Sequence, residues 1–324
     1  MGDTKFSSSR TWIDYVRIAL KGFCMGTADV IPGVSGGTIA FLLGIYEELI
    51  QSIRSFNMRF ARRLLRGRFK EAFDHVGWRF LSALLTGIAL AIVSLAKVIT
   101  WLLATRPILV NAFFFGLIVA TIFVIGRIIR KWSLGLGVAL VVSAGFMYWL
   151  VGLVPVQTPE TWVFLFFSGA LAISAMILPG ISGAFILVLL GKYRFILEAV
   201  HERNLVVILV VGLGVLCGIV TFVRVLGLLF DRYHDLTVSV LTGIVIGSLR
   251  KVWPWKETLR SIEGSHGKVI PVSQVNVWPT VWDGEVLAAL VLMVIGFIVA
   301  WYLNVDPPKR IPGGDSTVSG STSQ

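Results

Sequence analysis

Residues Gly22 to Tyr46 read GFCMGTADVIPGVSGGTIAFLLGIY, and residues Gly169 to Tyr193 read GALAISAMILPGISGAFILVLLGKY. The second stretch follows the first at a constant offset of 147 residues (169 − 22 at one end, 193 − 46 at the other). Gly22, Pro32, Gly33, Ser35, Gly36, Gly44 and Tyr46 each find an identical partner, in one register without a gap. Each copy is an apolar run broken in its middle by Pro-Gly-x-Ser-Gly. A broken helix is tolerated in a bilayer only where it is buried in protein or lines a polar cavity. Paired interrupted segments in matching halves are the sequence mark of a transporter's binding site.

The rest of the chain fits a membrane setting. It has 324 residues, 56% hydrophobic and only 15% charged, with a mean hydropathy of +0.84. Uncharged runs at about 80–104, 108–126, 133–152, 205–230, 236–250 and 285–304 are each near the ~20 residues a spanning helix needs. The arms flanking each Pro-Gly, about 10 to 15 residues apiece, are too short to cross alone. The polar start, GDTKFSSSR, and the absence of an A-x-A-like site predict no cleaved signal peptide. Phe6 breaks the myristoylation pattern. Cys24 and Cys217 lie in apolar runs and propose no disulfide framework.

The repeat extends past the motif. Further along the offset falls to 127, which pairs Lys97 with Arg224 (224 − 97) and Gly116 with Gly243 (243 − 116). The lost residues correspond to an insertion after Ser52, inside a basic linker. Run 133–152 matches 285–304 as the closing span of each half. The fold expected is therefore an all-α polytopic membrane protein built as an inverted-topology repeat. The first half is 1–153: a re-entrant hairpin at about 22–50, a basic cytoplasmic linker at 51–79 and spans within 80–152. The second half is 154–305, with a hairpin at about 162–197 and spans within 205–304. Residues 306–324 are read as a flexible tail. Three full spans after a hairpin that re-enters and exits on one side is an odd number, so the second half inserts upside down. Four full passes per half would remove the inversion; the short arms favour re-entry.

Charge supports the same placement. The net charge is +11, concentrated in Arg54, Arg59, Arg62, Arg63, Arg66, Arg68, Lys70 and Arg79. A basic linker beside a membrane segment marks the cytoplasmic face and anionic headgroups rather than nucleic acid. Both termini are then cytoplasmic. The inner face also gathers Arg10, Arg17, Lys21, Arg127, Arg130, Lys131, Arg232, Lys309 and Arg310. The outer face takes Arg106, Lys192, Arg194, Arg203, Arg250, Lys251, Lys256, Arg260 and Lys268.

The motif has chemistry of its own. Pro32 disfavours helix at Ile31 and removes a donor, Gly33 permits a tight turn, and Ser35 is suited to cap the helix that follows. A helix starting inside the membrane presents unpaired N–H groups and a positive dipole end, which favours an anion, typically phosphate. The expected phosphate-binding set is Gly33, Ser35, Gly36, Gly37 and Thr38 from the first copy and Gly180, Ser182 and Gly183 from the second. Lys97 and Arg224, equivalent cations within apolar runs, are added as charge partners, with snorkelling to an interface as the alternative reading. Asp29, opposite Met176, and Glu47 and Glu48 are candidates for coupling to H⁺ or Na⁺, or for structural pairing. Glu198, His201 and Glu202 read as a solvated helix end. No metal or nucleotide motif is present, and no cofactor is expected. Trp78, Trp101, Trp132, Trp149, Trp162, Trp253 and Trp301 read as interfacial anchors.

The motifs ADVIPGVSGGTIAFLLGIYE and AMILPGISGAFILVLLGKY, at this spacing, resemble those of the bacterial and archaeal polyprenyl-phosphate transporters (PopT-type), over about residues 12–301. That resemblance implies a flippase in the bacterial inner membrane. It would return undecaprenyl or polyprenyl phosphate from the outer to the inner leaflet for carrier-lipid recycling in cell-wall biogenesis. It also implies inverted re-entrant repeats; a homo-oligomer is left open. Two rivals remain. Undecaprenyl-diphosphate phosphatases (BacA-type) share the architecture, but their motif continues with Arg and Ser where this chain has Gly36-Gly37 and Gly183-Ala184. A carrier of a small soluble anion would need only aqueous vestibules.

Overall fold

The computed structural model describes residues 10–31, 33–129, 131–263 and 269–303; side chains of 260–273 are not described. Pro32, Arg130, Lys268 and the expected tail at 306–324 therefore lie outside the described residues. The chain is an all-α polytopic membrane protein with, among the described residues, one small sheet. In order, its elements are α1 (Trp12–Asp29), α2 (Gly36–Leu42), α3 (Tyr46–Arg54), α4 (Met58–Leu65), α5 (Phe69–His75), α6 (Trp78–Thr105), α7 (Pro107–Gly126) and α8 (Leu134–Val151). There follow α9 (Trp162–Ile177), α10 (Gly183–Leu189), α11 (Tyr193–His201), α12 (Leu205–Arg232), α13 (His234–Val252), β1 (Lys256–Glu263), β2 (Val269–Asn276) and α14 (Gly284–Leu303).

Local chemistry sets many of these boundaries. Thr11 precedes α1, and its N–H and hydroxyl both donate to Asp14 at 2.9 Å, a first-turn cap. Pro107 opens α7, where its missing N–H costs nothing. Asn57 caps α4 by accepting from Arg59 and Phe60 N–H, and Asn204 caps α12 by accepting from Val207 N–H.

Both broken segments double back. Lys21 Nζ donates to Leu43 O at 2.8 Å, and Arg10 pairs bidentately with Glu48 at 2.6 and 2.8 Å. Residues at the entrance of α1 thus meet residues leaving through α3. In the second copy Val156 N–H donates to Leu189 O and the Thr158 hydroxyl to Leu190 O. Lys192, 1% exposed, donates from Nζ to Thr158 O. The second hairpin therefore closes through residues 156–158, upstream of the expected start at 162.

The long helices pair side by side. α1 lies along α6, with Arg10 over the Phe80 ring at one end and Gly26 against Ile88 and Ala91 further on, so the two run parallel. Arg54, at the exit of the same hairpin, pairs with Asp231 at 2.5 Å. α6 starts at the end of the molecule where α12 finishes, so these two 28-residue helices run in opposite senses. The closing helices cross over: α8 lies along α13, through Ser239 Oγ to Leu136 O and Arg250 Nη1 to Tyr148 O. α14 lies along α7, through the Phe123–Phe297 ring pair and Arg127 over Trp301.

Three features differ from expectation. Among the described residues, five helices (α6, α7, α8, α12 and α14) are long and apolar enough to cross a membrane. The sixth expected span, at 236–250, is a helix of 19 residues, but its ends carry Asp235, Arg250 and Lys251. The basic linker, to which sequence reasoning assigned no secondary structure, is helical. It forms α4 and α5, held together by Phe60 edge-on to Phe73 at 6.4 Å, with Arg59, Arg62, Arg66 and Arg68 exposed. The loop after α13 contains an antiparallel ribbon pairing Lys256 with Asn276, which period-2 patterning was too weak to announce.

The main core surrounds the first hairpin. Ile31, Val34, Ile39, Phe41, Leu42 and Tyr46 pack with Leu84, Phe230, Leu241 and Val245. α2 is buried at every residue except the half-buried Gly37, whereas α10 is buried only at Gly183 and Ala184 is exposed. The two copies share a backbone path but not an environment.

Candidate functional site

The two breaks are built alike and touch. Gly33 and Gly180 both adopt positive φ, 93° and 89°, a region that glycine alone enters cheaply. Thr38, wholly buried, accepts the Gly180 N–H on Oγ1 at 2.8 Å. The Tyr46 hydroxyl donates to Ile177 O at 3.0 Å, at the last residue of α9. A Cβ built on Gly37 would stand 3.2 Å from Ile177 O and 3.5 Å from Leu178 O. Gly37 thus lets one hairpin lie against the other. In hydrocarbon each freed backbone group must find a partner, and here side chains of the first copy supply partners for the backbone of the second.

The starts of the two short helices then diverge. At α2, Asp29 Oδ1 accepts the Gly36 N–H at 2.7 Å and Ser35 Oγ accepts the Gly37 N–H at 3.1 Å. A Cβ on Gly36 would fall 2.5 Å from Asp29 Oδ2, so only glycine admits this carboxylate. Sequence reasoning expected these N–H groups to be open to an anion; the chain's own carboxylate already holds one of them. At α10, Met176 replaces Asp29 and the Ser182 side chain makes no capping bond.

α13 backs both breaks. A Cβ on Gly180 would meet Ser248 Oγ at 2.8 Å, and one on Gly33 would meet Lys251 Cγ at 2.8 Å. The Lys251 ammonium lies 5.0 Å from the Phe185 ring centroid. Lys256, in β1, donates from Nζ to Lys251 O, and Asn276 Nδ2 donates to Arg250 O at 3.0 Å. The ribbon thereby caps the carbonyl end of α13. Burial, with the Lys251 charge beside it, pushes the Lys256 ammonium down to about 8. Sequence reasoning counted Lys251 and Lys256 among outer-loop cations; nothing in RKVWPWK marks them as neighbours of a motif more than 200 residues away in the chain.

Other expected residues lie elsewhere. Lys97 and Arg224 are exposed, Lys97 beside Thr100 and Trp101 on the outer flank of α6. The structure does not bring them to the paired breaks. Their run of apolar neighbours reflects lipid-facing helix flanks, which hydropathy cannot tell from an interior. Glu48 is the partner of Arg10, and Glu47 Oε1 lies 2.9 Å from His234 Nε2. Glu198 pairs with Arg194 one turn away and is exposed; sequence reasoning had only a solvated helix end there. Among the described residues no group of acidic, His or Cys side chains is arranged to hold a metal.

The family described as undecaprenyl phosphate translocase-like matches residues 25–270. The chain belongs to that family. A polyprenyl-phosphate transporter of Vibrio cholerae serotype O1 is 42% identical over 287 residues, covering 87% of this chain and 93% of the relative. A polyprenyl-phosphate transporter of Staphylococcus aureus is 32% identical over 299 residues, with the same coverage. No solved structure matches the chain. The family's match runs through both breaks and the end of α13.

Proposed function

We propose that this protein is a polyprenyl-phosphate transporter of the bacterial inner membrane, moving the lipid from the outer to the inner leaflet. The phosphate crosses where the two Pro-Gly-x-Ser-Gly breaks meet, and the polyprenyl tail stays in the lipid. The supporting observation is the cross-copy contact itself, Gly180 N–H to Thr38 Oγ1 with Tyr46 to Ile177 O. A central polar seam made by both halves is where rocking of one half against the other alternates access. An unshielded phosphate in hydrocarbon would cost tens of kcal/mol by the Born estimate, so the headgroup needs such a seam and the tail does not.

In this reading the hairpins are re-entrant and enter from opposite faces, since α6 and α12 run in opposite senses. Both termini are cytoplasmic, and α4 and α5 rest on anionic lipids. The binding set comprises Gly33, Ser35, Gly36, Gly37 and Thr38 with Gly180, Ser182 and Gly183. Asp29 couples transport to an ion: protonation or a bound Na⁺ weakens its hold on Gly36 N–H and clears that donor for the incoming phosphate. The protein does no covalent chemistry on the lipid.

The test is leaflet-resolved labelling of polyprenyl phosphate in proteoliposomes under an imposed proton or Na⁺ gradient. Gly37→Leu should abolish inward movement, because its side chain forces the hairpins apart. Asp29→Asn, which keeps an acceptor for Gly36, should insert normally but lose the gradient's effect. Unimpaired, gradient-driven movement in both variants would overturn this reading.

A further inference from the structure

Lys251 stands in the last turn of α13, and its side chain bridges the two copies. Its aliphatic stem covers the Gly33 turn of the first break. Its ammonium reaches the ring of Phe185, the third residue of α10 in the second copy. The side chain is partly buried, and no carboxylate pairs with it among the described residues. The three acids of the first hairpin are already engaged: Asp29 by Gly36, Glu47 by His234, Glu48 by Arg10. The Lys256 ammonium, packed on the Lys251 carbonyl, adds a second positive charge instead of neutralising the first.

An ammonium withdrawn from water without a counter-ion is costly, and burying one beside another cation is costlier. An anion arriving at the seam would supply the counter-charge that such a group lacks. The repeat makes the point sharper. The position equivalent to Lys251 in the first half is Val124 (251 − 127), so duplication does not account for this cation. It joins the break on the side where Asp29 is missing its counterpart.

We propose that Lys251 is the charge that receives the lipid phosphate between the two breaks, with Lys256 raising the local positive potential behind it. This rests on the reading that a phosphate headgroup passes through that seam. Lysine chemistry suits a moving ligand, because a compact charge with three donors engages a phosphate monoester from several angles as the headgroup passes. The Phe185 face holds the ammonium while the site is empty, a cation–π contact that a doubly charged phosphate outcompetes.

The experiment uses the full-length protein in nanodiscs and three probes: polyprenyl phosphate, uncharged polyprenol of the same length, and inorganic phosphate. Lys251→Met keeps the stem against Gly33 and removes only the charge; Lys251→Arg keeps the charge. Lys251→Met should weaken polyprenyl phosphate by about tenfold to a hundredfold, the loss of one charge-assisted contact, and leave polyprenol unchanged. Lys251→Arg should restore most of the difference. Equal binding of the phosphate lipid by wild type and Lys251→Met would overturn the proposal, as would parallel losses of both lipids. Inorganic phosphate held as tightly as the lipid would reassign the cation to a soluble anion. If Gly37→Leu stops transport while Lys251→Met binds normally, the seam stands and Lys251 falls. If charge-dependent lipid binding is found without leaflet movement, Lys251 stands and the transport reading falls.

Discussion

At the scale of single residues, the seam depends on a few hydrogen-bonding atoms. Gly180 N–H is buried and its acceptor is Thr38 Oγ1. Thr38→Val keeps the shape and removes the acceptor, leaving a buried donor unpaired at a cost of about 1–3 kcal/mol. Thermal unfolding in detergent should show that loss, while Thr38→Ser should stay close to wild type. Equal stability of the Val and wild-type proteins would mean that water or another group reaches Gly180. Thr38 was legible in the sequence as a first-turn residue of the motif. Its partner was not, because a hydrogen bond across 142 residues of chain leaves no local pattern.

At the scale of elements, the informative piece is the end of α13. Its last carbonyls are capped by Lys256 and Asn276 from the ribbon that follows, not by a glycine turn. Lys256 is depressed in the folded state to about 8 from an ordinary 10.5. Between those values the folded protein binds fewer protons than the unfolded chain, so stability should rise with pH across that window. Below about 8 the penalty of the buried charge is present in full. Melting temperatures measured from pH 7.5 to 10.5 should therefore climb more steeply for wild type than for Lys256→Met. Parallel curves would place the Lys256 ammonium in water. The interhelical pairs Arg54–Asp231 and Glu47–His234 tie the first hairpin to the α12–α13 corner. Each is part-exposed and contributes little on its own, so they fix orientation more than stability.

At the scale of the molecule, opposed helix directions make a labelling prediction. In a cysteine-free background, Met58→Cys on α4 and Gln157→Cys at the mouth of the second hairpin should react from opposite faces of the membrane. Both side chains are exposed. Labelling of both from one face by an impermeant maleimide would remove the inverted arrangement. The crossing-over of α8 onto α13 and α14 onto α7 also means that neither half is a separable body. Each half's closing helix completes the other's, so a truncated half should not insert as a stable unit.

The sequence alone determined that this is a helical membrane protein, that a broken motif occurs twice, and where the breaks fall. Those features rest on local rules: hydropathy over a helix length, proline's missing donor, glycine's positive φ and a fixed repeat offset. The family resemblance was equally legible, in the motif residues themselves. The tertiary structure decided which groups meet. It filled the first helix start with Asp29, turned Lys97 and Arg224 outward and carried Lys251 from a terminal turn of α13 to the paired breaks. Hydropathy reports how apolar a segment is and not which flank faces lipid, and a charge takes its role from neighbours that only packing brings near.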